Sequence, residues 1–310
     1  MRRKPRKNIP HRAVRRKINK NRVKRNSGCS FFVVTFLLFL FSLVYIFAGD
    51  YIFPTRGLMP GENEVFVSFI DVGQGDSILI RSRDHAVLID GGEHRAGVVV
   101  MDYLRQAGVS HLDYVVATHP HSDHIGGLIT VLGRMEVSSV VMPDVLHNTI
   151  TFENFLEVIE NNNIPVIFPV EGDRIRAGII NLTVLAPVAD FSGSSNNASI
   201  VIRLSHGQTS FLFTGDSEVI SEQSMLSSGL TLSSDVLNLG HHGSRTSTSQ
   251  AFLDAVDPSI VVISVGANNR YGHPHRDVMN RVEARNIRIY RTDHHGTIRM
   301  ITNGSRISTR

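Results

Sequence analysis

Thr118-His119-Pro120-His121-Ser122-Asp123-His124 sets three imidazoles and one carboxylate within six residues, in the pattern His-x-His-x-Asp-His. Imidazole nitrogen and carboxylate oxygen are the ligands that zinc and its divalent neighbours favour. The preceding Leu112–Ala117 (LDYVVA) reads as a buried strand, and the following Ile125–Leu132 (IGGLITVL) as a helix opened by glycines. The four side chains therefore sit on a strand-to-helix loop, where an open α/β sheet gathers its chemistry. Strand alternation lets His119 and His121 face one way. Asp123 and His124 turn with the helix start and can face a second ion. A lone histidine here would fit a polar loop; four ligands at this spacing do not.

The charge of the chain is split. Its net +4 hides a first stretch, residues 1–25, with 13 Lys and Arg and no acid. The remaining 285 residues carry 19 arginines against all 28 acids, a net of −9, and no lysine lies beyond Lys24. Residues 31–48 are an uncharged run, FFVVTFLLFLFSLVYIFA. As a helix, 18 residues rise about 27 Å, close to the hydrocarbon thickness of a bilayer. A cleaved signal peptide is the competing reading. The long basic region and an apolar run beyond the usual length of a signal core favour an uncleaved anchor. The basic flank then stays cytoplasmic and the rest of the chain lies outside. Attraction to anionic lipid is a simpler use for residues 1–25 beside such a span than nucleic-acid binding. The single cysteine, Cys29, precedes the apolar run, so no lipoprotein cleavage site and no disulfide framework are expected.

The expected organisation is a basic cytoplasmic arm over 1–30, a transmembrane anchor over 31–49, a linker over 50–61 and one large domain over 62–310. Within that domain the patterning predicts strands at 65–70, 78–81, 86–89, 112–117, 137–142, 200–204, 210–213, 236–239, 260–265 and 287–290. Helices are expected near 98–107, around Phe152, Phe155, Leu156 and Ile159, after Asp216, and over 248–256 and 277–285. Two sheet-and-helix halves with polar residues at the strand ends are what an αββα sandwich would give.

These segments resemble a known family. The chain over 62–302 is similar to metallo-β-lactamase-fold hydrolases, in particular to the C-terminal hydrolase domain of ComEC-type competence (DNA-uptake) proteins. The resemblance rests on Asp71-Val-Gly-Gln-Gly-Asp76-Ser77, Leu88-Ile-Asp90-Gly-Gly92, the His-rich stretch, Phe213-Thr-Gly-Asp216, Gly240-His-His-Gly-Ser244 with Thr246-Ser-Thr-Ser249, and Ser264-Val-Gly-Ala-Asn-Asn-Arg-Tyr-Gly-His273-Pro274. The multi-span channel of a full uptake protein is absent from this sequence, which has one hydrophobic span.

The resemblance implies an α/β sandwich binding two divalent ions, Zn²⁺ or Mn²⁺. His119 and His121 serve the first ion, Asp123 and His124 the second, and Asp216 bridges them. By itself, Asp216 at the end of an apolar strand is either a helix N-cap or a carboxylate whose burial must be compensated. His273, in a Gly-His-Pro turn after the 260–265 strand, is expected to complete the second ion's ligands. His242 is expected to donate a proton or contact phosphate, with a ligand role as the alternative; His241 lies beside the site. Asp90 matches a structural aspartate that orients ligands. Asp71, with Gln74 and Asp76, either lines the site or caps its turn. Ser244 and the following hydroxyls suit phosphate oxygens. Many members carry one more ligand histidine where this chain reads Ser195-Asn196-Asn197-Ala198-Ser199; the first ion would then have His119, His121, Asp216 and water, with Asn197 offering an oxygen. His85, His94, His111, His147, His206, His294 and His295 have no ligand spacing.

The expected chemistry is hydrolysis. Two ions sharing Asp216 would lower the pKa of a bridging water and generate hydroxide, with Asp123 steering it. The first expectation is a membrane-anchored extracellular phosphodiesterase or nuclease acting on DNA. The second is a hydrolase of another envelope or small-molecule ester, lactone or β-lactam. The third is a non-catalytic DNA-uptake accessory module. The net −9 counts against broad nonspecific DNA affinity for the domain but leaves room for a local arginine groove, given Arg245 and Arg270.

Overall fold

The computed structural model describes residues 59–187 and 194–310. The basic arm, the anchor over 31–49 and all but the end of the linker lie outside the described residues. Among the described residues no helix is long and apolar enough to cross a membrane.

Two sheets face each other. The first contains β1 (Val65–Phe69), β2 (Ile78–Arg81), β3 (Ala86–Ile89), β4 (His111–Val116), β5 (Glu136–Val141) and β6 (Val166–Ile167). To these the chain end adds β14 (Ile298–Thr302) and β15 (Ile307–Thr309), giving the order β15-β14-β1-β2-β3-β4-β5-β6. The second holds β7 (Arg174–Ala177), β8 (Ile180–Ala186), β9 (Val201–His206), β10 (Thr209–Phe213), β11 (Val236–Asn238), β12 (Ile260–Ile263) and β13 (Arg288–Arg291), in the order β13-β12-β11-β10-β9-β8-β7. Each sheet is part antiparallel meander and part parallel. β3 to β6 run parallel in the first, and β10 to β13 in the second.

Alternation along the strands builds the layers. Phe211 and Phe213 point into the space between the sheets, where they meet Phe69, Ile80, Ile89 and Val116 of the first sheet. Leu212, between them, points outward into a second apolar layer. Burying each such side chain contributes on the order of 1.5–3 kcal/mol. The parallel strands need crossovers, and helices supply them. α1 (Gly97–Gln106), α2 (Ser122–Ile125), α3 (Leu128–Leu132) and α4 (Ile150–Asn161) cover the outer face of the first sheet through Val100, Leu104, Leu128 and Phe155. α5 (Val219–Ser227), α6 (Gln250–Val256) and α7 (Arg276–Glu283) cover the second through Met225, Phe252, Leu253, Val278 and Val282. The expected αββα sandwich is therefore the fold.

Three details differ from the sequence reading. The helix expected over 125–132 is two short helices, α2 and α3, broken at Gly126-Gly127. Leu156, expected on the core face of α4, is 38% exposed, because only Phe152, Phe155 and Ile159 of that helix turn inward. The expected strands stop at Tyr290, yet the hairpin β14–β15 pairs β14 with β1 and extends the first sheet.

Candidate metal centre

The parallel strands end on one side of the sandwich, and the motif residues follow those ends. β3 ends one residue before Asp90, β4 two residues before Thr118, and β10 three residues before Asp216. Asp90 is fully buried and adopts a left-handed backbone (φ 55°), which aspartate tolerates. Its Oδ1 accepts the Thr118 backbone N–H at 2.8 Å. Its Oδ2 accepts the Thr118 hydroxyl at 2.7 Å and lies 2.7 Å from His124 Nδ1. Thr118 Oγ1 in turn lies 3.1 Å from His119 Nδ1. One carboxylate thus fixes two imidazoles through their Nδ1 atoms and leaves each Nε2 with a lone pair for a cation. Asp90 has the orienting contacts expected of it.

The free nitrogens converge. His119, His121 and Asp216 offer one set of ligand atoms and Asp123, His124 and His242 another, each set with its atoms within 4.8 Å of one another. Asp216 lies between the sets. Its Oδ1 is 3.2 Å from His124 Nε2 and 3.4 Å from His242 Nε2, and its Oδ2 is 3.6 Å from His119 Nε2. His124 Nε2, His242 Nε2 and Asp216 Oδ1 are buried and make no hydrogen bond. Buried polar atoms left so carry a large desolvation cost unless something binds them. An all-imidazole-and-carboxylate donor set suits a divalent cation, and the residues present fit two of them.

The charges agree. Burial alone would raise the Asp216 carboxyl, but His124, His242 and His119 outweigh it and hold Asp216 well below its ordinary value. Burial likewise works against the ionised Asp123, and the adjacent His242 and His124 still keep its carboxyl low. Burial lowers His119, helped by the charge of His124. His242 is pushed up to about 9, because Asp216 and Asp123 overcome its burial. Anionic carboxylates in a buried pocket call for positive charge, which protons or metal ions can supply.

The structure exchanges two expected positions. His242 is 2% exposed; its Nδ1 donates to the Ser264 carbonyl at 2.9 Å and its Nε2 lies 3.5 Å from Asp123 Oδ2. Its Nε2 thereby joins the Asp123 and His124 set that could hold an ion, the position of the alternative role. His273, expected to complete the second ion's ligands, belongs to neither set. Its ring lies 6.4 Å from that of His242 on the wall of the cleft, and its Nδ1 has no partner. Burial and the nearby His241, His242 and His275 lower it to about 4, so it is neutral. The reason is the backbone: Asn269 grips the His273 peptide on both sides, 3.0 Å at N and 2.7 Å at O, and holds it away from the centre.

Asn197 does not offer its oxygen to an ion. Its Oδ1 accepts the backbone N–H groups of Glu218 and Ser221 at 3.2 and 3.3 Å, at the start of α5. Asp71 caps its own turn, accepting Gly73 N–H at 3.1 Å. Ser244 Oγ lies 3.0 Å from Thr246 Oγ1 and braces the loop instead of facing the cleft. Asp76 is the buried acid of its loop: it is 2% exposed, its Oδ1 is unpartnered, and it groups with His124 and Asp216. Only its place in Asp-Val-Gly-Gln-Gly-Asp hints at this.

Above the centre opens a cleft of about 440 Å³ lined by Gln74, Asp123, His147, Thr149, Asn196 and Tyr271, among others. His147, which has no ligand spacing in the sequence, stands 5.4 Å ring to ring from His121. No local pattern marks it, since the loop after β5 brings it there.

These ligand sets on this fold define a family. The model of the metallo-beta-lactamase superfamily matches residues 70–267. The chain belongs to that superfamily. It is also similar to competence proteins: 32% identical over 250 residues to ComE operon protein 3 of Bacillus subtilis (strain 168), covering 75% of this chain and 32% of that one. With Competence protein ComA of Neisseria gonorrhoeae the identity is 34% over 241 residues, covering 76% and 32%. The chain spans about a third of the length of these ComEC-type relatives. Among solved structures, the metallo-beta-lactamase fold protein YhfI of Bacillus subtilis superposes with a TM-score of 0.51 at 13% identity, covering 79% of this chain and 100% of that one. The metallo hydrolase Igni18 of Ignicoccus hospitalis KIN4/I gives 0.51 at 15%, covering 76% and 98%. Those two likenesses are of fold. The chain is a metallo-β-lactamase-fold hydrolase related to competence proteins.

Proposed function

We propose that this chain is a membrane-anchored phosphodiesterase, a nuclease acting on DNA outside the cell, and that it works with two divalent ions, Zn²⁺ or Mn²⁺. The observation that carries this reading is the pair of ligand sets meeting at Asp216, which belongs to one and lies 3.2 and 3.4 Å from His124 and His242 of the other, at the floor of an open, polar cleft. Ions bound there supply Lewis acidity and lower the pKa of water towards neutrality. The chain's own residues do the rest. His119, His121 and Asp216 would hold one ion, and Asp123, His124 and His242 the other. Asp90 keeps His124 in register. Asp123, partly exposed at the cleft, is the acid placed to orient an attacking water. With His242 taken as a ligand, the neutral His273 on the cleft wall is an imidazole free to meet a substrate oxygen. Gln74, Thr149 and Asn196 offer donors to phosphate oxygens without adding charge. The similarity to competence proteins and the hydrophobic run over 31–48 support DNA and the bilayer as partners.

The test is the full chain in detergent, loaded with Mn²⁺ or Zn²⁺ and offered labelled DNA, a simple aryl phosphodiester and a chromogenic β-lactam. Cleavage of DNA and of the aryl diester, abolished by a chelator and by Asp216→Asn, is the expected result. Turnover of the β-lactam alone would move the chain to small-molecule hydrolysis. DNA binding without any cleavage in the metal-loaded protein would make it an accessory module.

A further inference from the structure

The two ligand sets are unequally furnished. His124 and His242 stand beside Asp216 Oδ1, with Asp123 grouped with them, so the second ion would have three side chains besides the shared carboxylate. The first has only His119 and His121 besides Asp216. Just outside that group stands His241, whose Nε2 is 3.6 Å from Asp216 Oδ2, the same separation as His119 Nε2. Its other nitrogen is engaged: Nδ1 lies 3.4 Å from Glu218 Oε1 and 3.2 Å from Thr246 Oγ1. With Nδ1 set against a carboxylate oxygen and a hydroxyl, Nε2 is the nitrogen turned towards Asp216. Backing of this kind, through Nδ1, is what metal-ligating histidines usually have. His119, His124 and His242 have it here; His273 does not.

The backbone is committed to the same end. His241 sits at φ 49°, and its N–H donates to Gly215 O at 3.0 Å, next to Asp216. Glu218 is held in turn by the side-chain amides of Asn196 and Asn197, at 3.3 and 3.4 Å. The asparagine segment before β9, which supplies no ligand itself, thus steadies the carboxylate that aims His241.

We propose that His241 is a ligand of the ion held by His119, His121 and Asp216, and that Glu218 is the positioning residue that orients it. This rests on the two-ion reading of the centre. The full chain is titrated with Co²⁺, following its visible absorption, and its metal content is measured after dialysis. The test variants are His241→Asn, Glu218→Ala and Glu218→Gln; asparagine tolerates the left-handed backbone, so the first change spares the fold. Wild type is expected to take up two ions. His241→Asn should lose one of them selectively and alter the Co²⁺ spectrum. Glu218→Ala should weaken the same ion by roughly 10–100-fold, the usual cost of an outer partner, and Glu218→Gln, which keeps an acceptor oxygen, should recover part of it. Two ions at wild-type affinity and an unchanged spectrum in His241→Asn would overturn the proposal and leave the two-ion centre standing. A wild-type protein that takes up no ion would overturn both.

Discussion

The role of a histidine here is decided by what its second nitrogen touches. His242 and His273 both lie on loops that follow parallel strands of the same sheet, and the sequence reading favours His273 as the ligand. The Ser264 carbonyl on His242 Nδ1 turns its Nε2 into the cluster, whereas Asn269 holds the His273 backbone at the cleft wall. This separates the two variants. His242→Asn, chosen because φ is 54° at that position, should lose the second ion by more than the roughly 10–100-fold typical of an outer partner. His273→Ala should keep both ions at wild-type affinity and lose turnover. Isothermal titration with Mn²⁺ checks it, and metal loss in His273→Ala with none in His242→Asn would restore the original assignment.

At the scale of elements, the ligands are positioned by close backbone approach. α2 and α3 are separated by Gly126-Gly127, and this break lets the chain pass against the Asp90-Gly91-Gly92 turn. Gly127 N–H donates to Gly92 O at 2.9 Å, and Gly91 N–H to His124 O at 2.7 Å. A Cβ on Gly127 would lie 1.9 Å from Gly91 O. Gly75, at φ 125°, makes a similar approach, its missing Cβ falling 2.1 Å from Asp123 O. Gly127→Ala should therefore push apart the turn bearing Asp90 and the helix bearing His124. Overpacking of this kind costs about 1–3 kcal/mol or more. A lowered melting temperature with weaker uptake of the second ion is the expected result; an unchanged melting curve would show that the turn has slack.

At the scale of the whole molecule, the charge asymmetry of the sequence sets the expected topology. Thirteen basic residues precede the apolar run, and an acidic domain of net −9 follows it. Protease added to intact cells or protoplasts should remove the domain over 62–310 and spare the basic arm. A fully protected domain would place it on the cytoplasmic side and remove extracellular DNA as its substrate.

The sequence by itself determined the sandwich and most of the cluster. Short, almost wholly apolar runs such as Phe211-Leu-Phe and Val65–Phe69 mark strands buried on both faces, between the sheets and under the helices. His119, His121, Asp123 and His124 were legible because ligands close in the chain leave a local pattern. Tertiary structure alone decided the rest. Whether His241, His242 or His273 reaches Asp216 depends on three loops from separate strands, and on hydrogen bonds to Glu218, Ser264 and Asn269 that no spacing encodes. Asn197 reads as a spare oxygen donor until α5 claims it. Asp76 gains its place only when the 71–77 loop folds against His124, and His147 only when the loop after β5 reaches the cleft. Contacts between segments distant along the chain are set by packing, and packing leaves no periodicity to read.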